Sequence, residues 1–239
     1  MALNAALGKG RSMEFRHSVV FLVDVDNTLL DNDRIVSDLL LYLEHEVGPV
    51  RQKQYWTIFE SIRSQLGYAD YLGALQQYRI ENPRDSHLLR LSSFLVDYPF
   101  AARLYPGARD ALEHLRSFGP TVILTDGDVV FQPLKVSRSG LSDAVDGRVL
   151  IYVHKEQMLG DVEERYPAEH YVMIDDKLRI LAAMKEIWGS RLTTVFPRQG
   201  HYAEDPQVLA AYPAADVSVA RIGDLAGAAL GEFFPSGER

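Results

Sequence analysis

The 239-residue sequence predicts an α/β protein: a parallel sheet with helices on both faces, opened after its first strand by an all-helical insert. Three observations predict it. Residues 18–25 are apolar but for the first residue and Asp24, as suits a strand buried on both faces. Residues 33–103 then keep a helical period with no β-rich run among them. From there to the C-terminus, short apolar runs alternate with helical segments.

Taken in order, the first strand runs into "DVDNT", and a helix follows in which Leu39, Leu40, Leu43 and Val47 recur at helical spacing until Gly48-Pro49. A second helical pattern places Tyr55, Ile58, Phe59, Ile62 and Leu66 on one face and stops at Gly67. "YADYLGALQQYRI" and "DSHLLRLSSFLVDY" continue the insert. A helix is expected to begin near Pro106, a residue tolerated in a first turn, and to stop at Gly119. The strands "TVILT", "RVLIYV", "HYVMI", "LTTVF" and "DVSVA" follow, with helices predicted over 131–139, from about Glu156, over 177–188 and after the last strand.

Composition narrows the function. The formal net charge of −8 argues against a nucleic-acid surface, which needs clustered Lys and Arg. The absence of cysteine excludes disulfides, zinc–thiolate sites and a catalytic thiol, and fits a cytoplasmic protein. No apolar run approaches the roughly 20 residues that cross a bilayer. Residues 1–16 carry Lys9, Arg11 and Arg16 among small residues and are expected to form a tail rather than a signal peptide.

Chemistry is expected at the carboxyl ends of the strands, where open α/β sheets bind ligands. The first strand ends in Asp24 and Asp26, the second in Thr125 and Gly127, the third in Lys155 and the fourth in Asp175 and Asp176. Carboxylates gathered at one edge repel, so a hard cation is their natural partner; oxygen ligands favour magnesium, and magnesium commonly accompanies phosphate. Asp24 and Asp26 point differently if the chain stays extended, so one can be a nucleophile while the other handles protons. An EF-hand calcium loop is excluded, because Leu29 stands where its glycine belongs and Ile35 where its bidentate glutamate belongs.

"DVDNT", Thr125 in "VILTDGD", Lys155 in "YVHKEQML" and "VMIDDK" together resemble, in order, the four motifs of the haloacid dehalogenase-like (HAD) superfamily. The resemblance implies a Rossmann-like core over 17–31 and 104–239, with 32–103 similar to the family's type 1 helical cap. It implies that Asp24 attacks phosphorus and binds magnesium, and that Asp26 protonates the leaving alkoxide, activates water and binds the metal through its carbonyl. Thr125 and the Gly127 amide would hold phosphate, Lys155 would bridge phosphate and nucleophile, Asp176 would bind the metal, and Asp175 would assist directly or through water. The implied activity is magnesium-dependent hydrolysis of a small phosphorylated metabolite through an aspartyl-phosphate. A haloacid dehalogenase, a phosphomutase and a non-catalytic phospholigand-binding module are the alternatives. Asp126 departs from the family's pattern, which often carries asparagine there.

Other residues are read more plainly. Lys135 is expected on the solvent face of a helix, and His201 in a loop as a surface or packing residue. Tyr55, Trp56 and Phe59 share an apolar face and are read as helix core rather than substrate cage. Arg51, Lys53, Arg63, Arg79, Arg84 and Arg90 are read mostly as solvated charges, one or two of which could reach a second anionic group. "GDLAGAALG" lacks dinucleotide-fingerprint spacing and is read as helix packing.

Overall fold

Apolar strands joined by helices have one short way to pair, side by side and parallel, and a computed structural model describing residues 16–233 takes it. The strands are β1 (His17–Val23), β2 (Thr121–Asp126), β3 (Val149–Tyr152), β4 (Ala168–Ile174), β5 (Leu192–Pro197) and β6 (Val217–Val219). They lie in the order β3-β2-β1-β4-β5-β6, every neighbouring pair parallel. The chain builds outward from β1 to β3, then returns to place β4 on the other side of β1. The order therefore reverses between β1 and β4, where such sheets open a crevice at the carboxyl ends.

Residues 19–23 are apolar on both faces because the strand they belong to is covered on both. Val19, Phe21 and Val23 enter a core cluster with α4 (Ala108–Arg116), α5 (Phe131–Arg138), α6 (Leu141–Ala144) and the helical insert. Val20 and Leu22 enter a second cluster with α7 (Leu159–Arg165) and α8 (Leu178–Trp188). After β5 come the short helices α9 (His201–Glu204) and α10 (Pro206–Ala211).

The insert is helical as its periodicity requires: α1 (Asn32–Leu66), α2 (Tyr71–Glu81) and α3 (Leu88–Asp97). Gly48 breaks α1, its backbone at φ 79° and ψ 166°, and Pro49 follows. The C-cap is Gly67, left-handed at φ 81°. Leu39, Leu43, Tyr55, Ile58 and Phe59 form its buried stripe.

Several boundaries differ from the sequence reading. Strand β1 stops at Val23, because Val25 already turns to accept hydrogen bonds from Thr28, Leu29 and Leu30. Helix α4 starts at Ala108, since Gly107 in the left-handed region precedes it. The helix expected from about Glu156 opens as a 3-10 turn (Lys155–Gln157) before α7. After β6 the chain forms 3-10 turns rather than an α-helix, and the turn Ile222–Gly227 packs against α4. The tail expected over 1–16 lies, apart from Arg16, outside the described residues. No described helix is long and apolar enough to cross a membrane.

The close approach of α4 to that last turn rests on two glycines. A Cβ at Gly107 would sit 2.7 Å from the Gly223 Cα, and Gly107 also has φ +77°. Gly147 has nearly the same backbone, φ +74°, with nothing within 4 Å. Gly147→Ala should therefore cost only the left-handed penalty, about 1 kcal/mol, and Gly107→Ala that penalty plus displaced backbone, about 3 kcal/mol or more. Urea denaturation of the two variants checks the difference; equal losses would mean that the α4 contact contributes nothing.

Candidate active site

Parallel register brings the first and fourth strand ends level. Val23 pairs with Ile174, so Asp24 and Asp175 leave the sheet side by side, and the Asp24 amide donates to the Ile174 carbonyl at 2.9 Å. Asp24, Asp175 and Asp176 are all buried, and each offers a carboxylate oxygen within 4.8 Å of the others. The Asp176 amide donates to the Thr28 hydroxyl at 3.0 Å, which assigns the last residue of "DVDNT" a task that sequence reading left blank. Asn27, at φ 59°, accepts from the amides of Asn32 and Asp33 and so turns the chain from strand end into α1.

Lys155 is only 1% exposed. Its Nζ lies 2.5 Å from Asp24 Oδ1, 2.6 Å from Asp175 Oδ2 and 3.2 Å from the Leu124 carbonyl. Three acceptors around one ammonium leave the lysine no choice of charge. Burial alone would depress its pKa, but Asp175, Asp24 and Asp126 outweigh it and hold the group protonated. Asp24 answers in kind: burial pushes its carboxyl up, yet the charges of Lys155 and Lys177 bring it below its ordinary value. It is thus an ionised, oriented carboxylate with Oδ2 unpartnered.

Asp176 is the opposite case. Burial, opposed by Lys177 but reinforced by Asp175 and Asp24, raises its pKa well above the carboxylate range, and neither carboxylate oxygen has a hydrogen-bond partner. Asp175 is also raised, first by burial, although Lys155 opposes it. Buried carboxylate oxygens without donors leave a positive charge missing. An all-oxygen set of three acids fits a hard divalent cation.

The other predicted residues border the same place. Thr125 is buried and accepts from Gln132 Nε2 at 3.0 Å. Gly127 lines the cavity, but its amide donates to the Tyr152 carbonyl at 2.9 Å, because the β2–β3 ladder runs past Asp126; in this arrangement it is not free for a phosphate oxygen. Asp126 accepts from the Lys155 amide at 2.7 Å and so fixes the loop that carries the lysine. Burial, opposed by Lys155, pushes its carboxyl up to about 6.

Lys135 requires correction. It is buried, not solvent-facing, with Nζ 2.6 Å from Asp26 Oδ1 and 3.1 Å from Asn32 Oδ1. The reason lies in α5, whose buried residues are Phe131, Gln132, Lys135 and Val136. Two polar side chains within that apolar stripe were the available signal. His201 is likewise more than a surface residue: it lines the cavity and its Nδ1 lies 2.7 Å from Asp33. Trp56 and Phe59 line the same cavity, so the stripe of α1 serves it as well as the core. Among the basic residues of the insert Arg63 reaches it, its Nη2 donating to the Tyr202 hydroxyl at 3.0 Å.

The cavity measures about 570 Å³ and lies between the strand ends, the insert and the segment after β5. Asp26 and Lys177 lie at the rim side and Trp56 in the insert. An ionised buried carboxylate, a second acid paired with a lysine, and a cation-deficient acid cluster can together support displacement at an electrophilic centre.

A family model described as haloacid dehalogenase-like hydrolase matches residues 19–187. A crystal structure described as a haloacid dehalogenase-like hydrolase from Burkholderia xenovorans LB400 is 65% identical, covers 89% of this chain and 99% of its own, and superposes with a TM-score of 0.86. The HAD-hydrolase YfnB from Bacillus subtilis, bound to magnesium, is 19% identical over 88% of this chain and 97% of its own, with a TM-score of 0.57. An L-2-haloacid dehalogenase from Xanthobacter autotrophicus, with chloropropionic acid covalently bound, is 18% identical over 88% and 97%, with a TM-score of 0.56. These last two share the fold. No curated protein matches. The chain belongs to the haloacid dehalogenase-like hydrolases.

Two measurements test the electrostatics. If the acid cluster holds a divalent cation, magnesium should raise the Tm of the protein, and Asp176→Asn should raise the metal-free Tm at pH 7, since it removes a buried carboxyl that is costly to bury, while removing most of the magnesium increment. A full magnesium shift in the variant would place the cation elsewhere. For Asp126 the folded pKa of about 6 exceeds the ordinary 3.8, so its ionisation costs stability as pH rises through that window. The metal-free Tm of Asp126→Asn relative to the parent should climb between about pH 4 and 6 and level off above, a gain of about 3 kcal/mol. A pH-independent difference would refute the shift.

Proposed function

We propose that the chain is a magnesium-dependent phosphomonoester hydrolase, with residues 17–31 and 104–239 as catalytic core and 32–103 as cap. The observation that carries this reading is Asp26. It stands two residues beyond the ionised Asp24, lines the cavity, and is held by Lys135 at 2.6 Å and Gln132 at 3.4 Å. Displacing a halide needs no proton donor, whereas displacing an alkoxide does. A positioned second acid supports the phosphoester substrate over the haloacid.

In this reading Asp24 attacks phosphorus; as the bond from its carboxylate oxygen forms, the bond to the leaving oxygen breaks. The Lys135–Asp26 pair gives up its shared proton, through Asp26, to that oxygen, and regains it in the second step. Asp26 then takes a proton from water, whose oxygen attacks phosphorus, and the bond to Asp24 breaks to release inorganic phosphate. Lys155 holds Asp24 in place and offsets the charge of the incoming phosphoryl group, while the Thr125 hydroxyl would contact its oxygens. Asp24, Asp175 and Asp176 would hold the magnesium ion, which when bound neutralises the acid cluster and draws charge from the phosphoryl oxygens. The helices over 32–103 would close the cavity from bulk water.

A phosphomonoester panel with and without chelator, carrying L-2-chloropropionate as a control, tests the reading. Phosphate release should vanish with chelator and return with magnesium; chloride release that survives chelation, without phosphate release, would establish the dehalogenase alternative. Within the panel, Lys135→Met should lower turnover about 100-fold for glycerol 3-phosphate and less than about 10-fold for p-nitrophenyl phosphate, whose leaving group needs little protonation. Equal losses for both would remove Lys135 and Asp26 from proton transfer.

A further inference from the structure

The cavity is large enough to constrain the leaving group. Its volume of about 570 Å³ is several times the roughly 150 Å³ that accommodates a benzene ring. A two- or three-carbon ester would leave most of it to water. The lining also has a direction. Trp56 stacks on Phe59 with centroids 4.7 Å apart and planes 27° apart, and Phe59 stacks on Tyr71 at 4.7 Å and 23°. Tyr71 meets Phe131 at 5.1 Å, and Phe131 precedes Gln132, which bonds Thr125 and Asp26. A continuous aromatic series thus runs from the catalytic rim into the insert, and its outermost member, Trp56, is half-buried on the cavity.

The segment after β5 adds Tyr202 and Tyr212, both half-buried and both on the cavity. Tyr202 is held by three contacts: the Arg63 guanidinium on its hydroxyl, the His201 ring at 3.9 Å and Lys177 Nζ at 5.7 Å from its centroid. Aromatic rings needed only for the core would be buried in it. These keep surface on a polar-floored cavity, in orientations fixed before any ligand arrives.

We infer that the substrate is a phosphomonoester whose leaving group carries a planar aromatic or heteroaromatic ring, stacked in this cavity while the phosphate lies over Asp24. The inference rests on the proposed phosphomonoester hydrolysis. Trp56 is its principal specificity-determining residue.

The test compares alkyl phosphates of similar leaving-group strength, so that stacking alone differs: uridine 5′-monophosphate and pyridoxine 5′-phosphate against glycerol 3-phosphate and 2-phosphoglycolate, with magnesium, and with acetyl phosphate as a small activated control. At least one ring-bearing ester should exceed glycerol 3-phosphate about 10-fold or more in kcat/KM, and Trp56→Leu should lower that ratio about 10-fold. If Trp56→Leu does not fold, Tyr212→Leu, on a different element, reads the same ratio. Hydrolysis of acetyl phosphate with no preference for a ring, or a ratio unmoved by the folded variant, overturns the inference and leaves the phosphatase reading standing. Failure to hydrolyse even acetyl phosphate overturns both.

Discussion

One buried ammonium organises this site. Lys155 sits where β1, β2 and β4 end and binds Asp24, Asp175 and the Leu124 carbonyl at once. Without it the two neighbouring carboxylates would be a repelling pair in a medium of low dielectric, and the register that places them level would be unfavourable. With it, Asp24 remains ionised inside the protein, the state a carboxylate nucleophile requires. Asp126 holds the backbone of Lys155, so the residue in the usual asparagine position supports the clamp from behind.

A second pair, Lys135 with Asp26, repeats the device one step toward the cavity. The two lysines differ in what they hold: Lys155 binds a nucleophile candidate and a residue of the acid cluster, Lys135 an acid that lines the cavity and Asn32 at the start of the insert. Because α5 brings Lys135, Gln132 and Phe131 together, the same helix touches the Asp26 carboxylate, the Thr125 hydroxyl and the aromatic wall. Asp176 breaks the balance of charges. Its two unpartnered oxygens are tolerable only if neutralised by a proton or a cation.

Much of this was legible in the sequence because parallel sheets enforce two simple patterns. A strand buried on both faces must be continuously apolar, so the point where each run meets an acid, hydroxyl or lysine marks the carboxyl rim. Asp24, Thr125, Lys155, Asp175 and Asp176 could be found in this way, and the helical insert could be found from its period. What could not be read were facts of three-dimensional contact. Lys135 looked like an ordinary helical lysine, since lysine is usually solvated, and the one hint was that it shares the α5 stripe with Gln132, Phe131 and Val136. His201 owes its place to Asp33, 168 residues earlier in the chain. The Gly127 amide is taken by a ladder bond from β3, which depends on how far two strands pair beyond their apolar cores.

The central claim is that Asp24 becomes covalently phosphorylated, and trapping tests it most directly. Asp26→Asn should slow hydrolysis of the intermediate, so a reaction with radiolabelled p-nitrophenyl phosphate and magnesium, quenched in acid within a turnover, should leave label on the chain. Peptide mass spectrometry should find the added phosphoryl group on the peptide containing Asp24, and Asp24→Asn should abolish it. Rapid turnover with no label on the chain, or label on a residue other than Asp24, would contradict the account.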